Sequence, residues 1–96
     1  MPKAYVIFTE AIHDPEGLRA YEQAAMPSVL ESGARVLAVD AGETLEGNWR
    51  GDRTVVLEFD SVEAARAWYD SESYAAARPL RQAATDSDVV LLTGLG

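Results

Sequence analysis

The sequence predicts an α+β domain of ferredoxin-like β-α-β-β-α-β order, a four-stranded antiparallel sheet with its helices on one face. Three observations predict it. Segments of strand alternation and of helical periodicity succeed one another in that order; the chain has 96 residues; and 48% of them are hydrophobic. A chain of this length forms one core, so residues 1–96 are read as a single domain.

The first strand is Ala4 to Ile12, β-branched and aromatic and apolar on both alternating faces at its start, as suits a central strand. Asp14-Pro15-Glu16 then supplies an acceptor for free helix amides, a proline at the first helical position and an acid at the positive end of the helix dipole. Leu18, Tyr21, Ala25 and Val29 recur at helical spacing and mark the buried stripe. Pro27 predicts a kink or break near Met26, and Gly33 ends the helix. A second strand follows at about Arg35 to Asp40 and a third at about Asp52 to Asp60. Between them, Ala41 to Gly51 is the longest irregular segment, with room for the hairpin to extend through Thr44-Leu45-Glu46 before Asn48-Trp49-Arg50-Gly51 turns the chain back. Ser61 caps a second helix, Val62 to about Asp70. A further helical piece runs from about Glu72 to Ala84, divided at Pro79, and the last strand is Asp88 to Thr93.

Right-handed crossovers put both helical regions on one side of the sheet, with strands 1 and 3 central. The other side is then bare, and apolar residues such as Val56 lie on it. A chain this small cannot cover that face alone, so the pattern predicts a homodimer with stacked sheets.

Composition narrows the partners. Sixteen Asp and Glu against eight Lys and Arg give a net charge of −8, which repels nucleic acid and anionic membranes. Zero cysteines and one histidine remove thiolate chemistry and a histidine-rich metal site. The N-terminal segment lacks the long apolar centre of a signal peptide, which makes the cytoplasm the expected location. No phosphate loop, dinucleotide turn, nucleophile elbow or zinc helix is present, so neither a cofactor nor a metal is expected.

Several residues carry chemistry worth placing. His13, the one histidine, stands at a strand end, where an imidazole could reach a cleft as a general base; a solvated loop histidine is the plainer alternative. Glu58 shares a strand face with Thr54 and Val56; an acid there needs a partner, for which Arg53, Arg81 and the tyrosines are available. Glu46, Asn48, Trp49 and Arg53 cluster on the long hairpin, a place for a ligand site or for a cap on the fold or dimer seam. Trp68, Tyr69 and Tyr74 form an aromatic wall, either core packing or a surface that orients a ligand. Arg78 and Arg81 suit a carboxylate ligand, with surface pairing to Asp70 or Glu72 as the plainer alternative.

Leu45-Glu46-Gly47-Asn48-Trp49, Arg53, Leu57-Glu58-Phe59-Asp60-Ser61, Glu63-Ala64-Ala65, Trp68-Tyr69-Asp70-Ser71, Tyr74 and Leu80-Arg81 together give the chain a further character. It resembles the domain-of-unknown-function family 1330 from first strand to last. The resemblance implies a dimeric α+β barrel of ferredoxin-like protomers and assigns no activity. Two functions follow, the first leading and the second its alternative. One is a module holding a small organic molecule in a helix-to-sheet cleft, with Glu46, Asn48, Trp49, Arg53, Glu58, Tyr69, Tyr74 and Arg81 as ligand contacts. The other is a cofactor-independent enzyme, monooxygenase- or isomerase-like by kinship of fold, acting on an aromatic or carbonyl-bearing molecule with His13 as base. A purely structural dimer is third.

Overall fold

Alternation along the first strand decides the layers. Ala4, Val6, Phe8 and Glu10 are buried, while Tyr5, Ile7 and Thr9 between them are half-buried on the opposite face, the period-2 signature of a sheet covered on one side. The computed structural model describes residues 2–96. Its elements are β1 Ala4–Ile12, α1 Pro15–Glu31, β2 Arg35–Asp40, β3 Arg53–Phe59, α2 Val62–Tyr69, α3 Glu72–Ala84 and β4 Thr85–Thr93. The strands pair antiparallel in the order β2-β3-β1-β4. The expected α+β ferredoxin-like arrangement is therefore the one observed, with β1 and β3 central.

The helices begin where side-chain oxygens meet free amides. Asp14 accepts from Gly17 N at 3.1 Å, Ser61 from Ala64 N at 3.0 Å and Ser71 from Tyr74 N at 3.2 Å, each offsetting amides that the helix leaves unbonded. Gly33, at φ +77°, takes the chain out of α1. Two expectations are corrected. Pro27 and Pro79 lie inside unbroken helices of 17 and 13 residues; each removes one amide donor, but buried residues on both sides of it, Ala25 and Val29 in α1 and Ala77 and Ala84 in α3, hold the helix to the core. β4 also starts earlier than expected, at Thr85, because Thr85, Asp86 and Ser87 pair with Ile12, Ala11 and Glu10. Their polarity hides strand character that the ladder supplies.

The core fills the space between sheet and helices. Trp68 is its centre, 4.1 Å from the Tyr74 ring centroid and 5.3 Å from that of Phe59, with its indole N–H donating to Ser28 Oγ at 3.0 Å. Helix α1 packs chiefly against α3, and every residue of the edge strand β2 is exposed. The molecule is a slab of 35 × 34 × 16 Å. Among the described residues, no helix is long and apolar enough to cross a membrane.

The segment between β2 and β3 forms no strand, and its far end is pinned to β1. Asp52 N donates to Glu10 O at 2.6 Å, and Ile12 N donates to the Asp52 carboxylate at 2.8 Å. Gly51 sits in this contact at φ +81°, where a Cβ would fall 2.6 Å from Glu10 O. Gly51→Ala is expected to cost about 1–3 kcal/mol in urea unfolding. Gly47, at φ +77° with open space around it, should lose only about 1 kcal/mol as Ala; equal losses would show that the contact with β1 is unimportant.

Candidate functional site

The core face of the sheet ends in charge. Glu10 is in phase with Val6 and Phe8, and Arg53 is in phase with Val55 and Leu57; the register sets the two opposite each other. Glu10 is 1% exposed, and its carboxylate accepts the Arg53 Nε–H at 2.9 Å. Arg53 also reaches Glu22 on α1, at 3.1 Å. Burial alone would lower the Arg53 pKa, but the hydrogen bonds and charges of Glu10 and Glu22 more than offset it and the pKa is raised.

Above this pair lies a cleft of about 80 Å³ between α1 and the β2–β3 side of the sheet. Glu10, Tyr21, Glu22 and Arg53 form its polar end, and its walls are apolar, with Trp68 at the back and Val39 at the mouth. The mouth is open along β2, where Val36 and Val39 are 44% and 49% exposed. Ligand pockets commonly measure about 300–1,000 Å³, so this cleft fits a compact molecule or one arm of a larger one. Behind it the Tyr21 and Tyr74 hydroxyls lie 2.9 Å apart. Burial first, and then the neighbouring Tyr74, push the Tyr21 phenol far up from its ordinary value and keep it protonated.

Arg81 lies deeper, 3% exposed, with its guanidinium 5.4 Å from the Phe8 ring centroid and donating to Ser87 Oγ. It does not pair with Asp70 or Glu72 on the surface, as its place on the buried stripe of α3 requires. Arg78 takes neither acid; it donates to Tyr69 O at 2.9 Å and stacks 4.5 Å over the Tyr69 ring.

The remaining predicted residues lie elsewhere. Glu58 is on the open face, where it accepts from Arg35 Nε at 2.7 Å and from the Tyr5 hydroxyl at 3.0 Å. A tyrosine does partner it, but the arginine is Arg35, because Arg53 points to the other face. The Arg35 hydrogen bonds hold the Glu58 and Asp60 carboxyls below their ordinary range. Glu46 and Trp49 line a shallow depression with Thr54; Asn48 is exposed on the same loop, and the Trp49 indole donates to Thr54 Oγ1 at 2.8 Å. His13 is exposed at the β1–α1 turn, and only its backbone N–H is engaged, by Ala84 O at 3.1 Å. Of the predicted residues, Arg53 lines the cleft, with Tyr74 and Arg81 behind it. Sequence reasoning missed Glu10, Tyr21 and Glu22.

These features define the class: a ferredoxin-like α+β chain with a cleft between helix and sheet and one sheet face uncovered. The chain belongs to the family of domains of unknown function DUF1330, whose family model matches residues 3–95. No curated protein matches it significantly. A protein of unknown function from Rhodopseudomonas palustris shares 22% identity at a TM-score of 0.79, over 99% of this chain and 84% of that one. SnoaB, a cofactor-independent oxygenase from Streptomyces nogalater, is 10% identical at a TM-score of 0.69, over 100% and 96%. A dimeric ferredoxin-like protein of unknown function from Thermobifida fusca is 17% identical at 0.59, over 96% and 91%. At these identities the likeness shows the fold alone.

Proposed function

We propose that this protein is a homodimeric module that binds a small organic molecule in the cleft between α1 and the β2–β3 side of each protomer. The observation that carries it is the closing of an apolar, solvent-open cleft on a buried Glu10–Arg53 pair. Glu10 is buried and Arg53 half-buried, each satisfied by the other, and the pair lies at the polar end of the cleft, where a ligand would end. The dimer is supported by the uncovered sheet face, whose middle row is apolar, and by the likeness to the dimeric Thermobifida fusca protein. For an enzymatic reading, the cleft offers Glu10 as its buried proton acceptor; His13 does not line it.

A fragment screen by thermal unfolding tests the binding. A fragment at ten times its Kd is expected to stabilise the protein by about 1.4 kcal/mol, roughly 6–11 °C. Val39→Trp, a half-exposed position at the mouth, should weaken the same fragment at least tenfold. Binding unaffected by that substitution would place the ligand elsewhere.

A further inference from the structure

We infer that the cleft selects an uncharged ligand bearing a hydroxyl donor on a compact apolar body, and discriminates against carboxylates and amines of the same size. The inference rests on the binding reading above and names its ligand class. Three charged groups line the polar end, the carboxylates of Glu10 and Glu22 and the Arg53 guanidinium between them; a fourth, Arg81, lies outside the lining, against the Phe8 ring and near enough to act on Tyr21. They cancel. Arg53 is held by both acids, so a ligand carboxylate would have to displace one of them, Glu10 being 1% exposed. An ammonium would bring a net positive charge into an apolar space, where an unbalanced charge is expensive.

A neutral hydroxyl meets no such penalty. The Glu10 carboxylate takes one side-chain N–H donor, from Arg53, among the described residues, while a carboxylate has about four acceptor positions. A ligand O–H can therefore donate to it without disturbing the pair. The Tyr21 hydroxyl, tied to Tyr74 at 2.9 Å, completes a polar end of one acceptor and one hydroxyl. Phe8, Val55 and Trp68 supply the apolar walls against which the body of the ligand packs.

Four probes of nearly equal size decide it on the intact protein by methyl and amide NMR titration: phenol, anisole, benzoate and benzylammonium. Phenol is expected to shift Ala25, Val29 and Val55 saturably, and anisole, lacking the donor, to bind about tenfold more weakly. Benzoate and benzylammonium should leave those signals in place. Glu22→Gln, at a side chain 44% exposed and so tolerant of change, tips the balance to net positive and should narrow the phenol-to-benzoate ratio at least fivefold. Anisole binding as tightly as phenol, either charged probe binding more tightly, or an unchanged ratio in Glu22→Gln would overturn the selectivity and leave the cleft a binding site. Silence from all four at these residues would overturn both readings.

Discussion

Ile7→Asp is expected to turn the proposed dimer into a folded monomer. On the open face Ile7 stands between Val56 on β3 and Val90 on β4, and Ala38 extends the row on β2. Polar residues flank this row: the Tyr5, Glu58 and Arg35 cluster on one side and Thr9, Thr54 and Asp88 on the other. Val90 and Leu92 are 48% and 45% exposed in the single chain, which is the side-chain surface that a second sheet removes from water. Under two-fold symmetry one substitution places two acids in the middle of the seam. A cost of about 4 kcal/mol for burying them corresponds to roughly a thousandfold in Kd. Light scattering at about 10 µM reads the mass, and circular dichroism confirms that the sheet persists. A variant that stays dimeric would show that the partner covers some other surface.

Glu10→Ala should be the most destabilising single change among the charged residues of the cleft. It leaves the Arg53 guanidinium, 21% exposed, with Glu22 alone, and it deprives the buried Arg81 of the nearby negative charge. Removing one partner of a buried pair costs about 3–5 kcal/mol; because Glu22 remains, about 3 kcal/mol is expected, which lowers the melting temperature by roughly 12–24 °C in a domain of this size. The double variant Glu10→Met, Arg53→Met removes the pair together and should be more stable than Glu10→Ala alone. Equal or greater loss in the double variant would mean that the pair is not what holds this end of the sheet.

Much of this architecture was legible because burial writes itself into sequence period. The alternation in Ala4 to Ile12, the 3–4 spacing of Leu18, Tyr21, Ala25 and Val29, and the caps at Asp14 and Ser61 each correspond to one physical requirement of one element. Where two requirements compete, local pattern and structure part company. Pro27 and Pro79 argue for breaks, and packing overrules them; Thr85 to Ser87 read as loop, and pairing with β1 makes them strand. The site was less legible. Glu10 carried a usable signal, since an acid in phase with Val6 and Phe8 on a central strand must be buried and partnered. Arg53 carries the same signal in phase with Val55 and Leu57. His13 and the loop around Trp49 stand out by residue type alone, whereas it is phase along the strands that marks the cleft. The joining of Glu22 to Arg53 depends on how α1 lies across the sheet, which no local pattern encodes.

The segment between β2 and β3 is anchored at its far end and exposed at its tip: Gly51 and Asp52 are fastened to β1, while Leu45 stands 86% exposed. Lengthening such a loop costs little, about 0.6 kcal/mol for each doubling, and the fastening keeps any added mass from pulling on the sheet. Gly47, where an added Cβ would meet nothing within 4 Å, is accordingly the position where a reporter peptide or a second folded unit can be spliced into this chain with the barest disturbance to what lies beneath it.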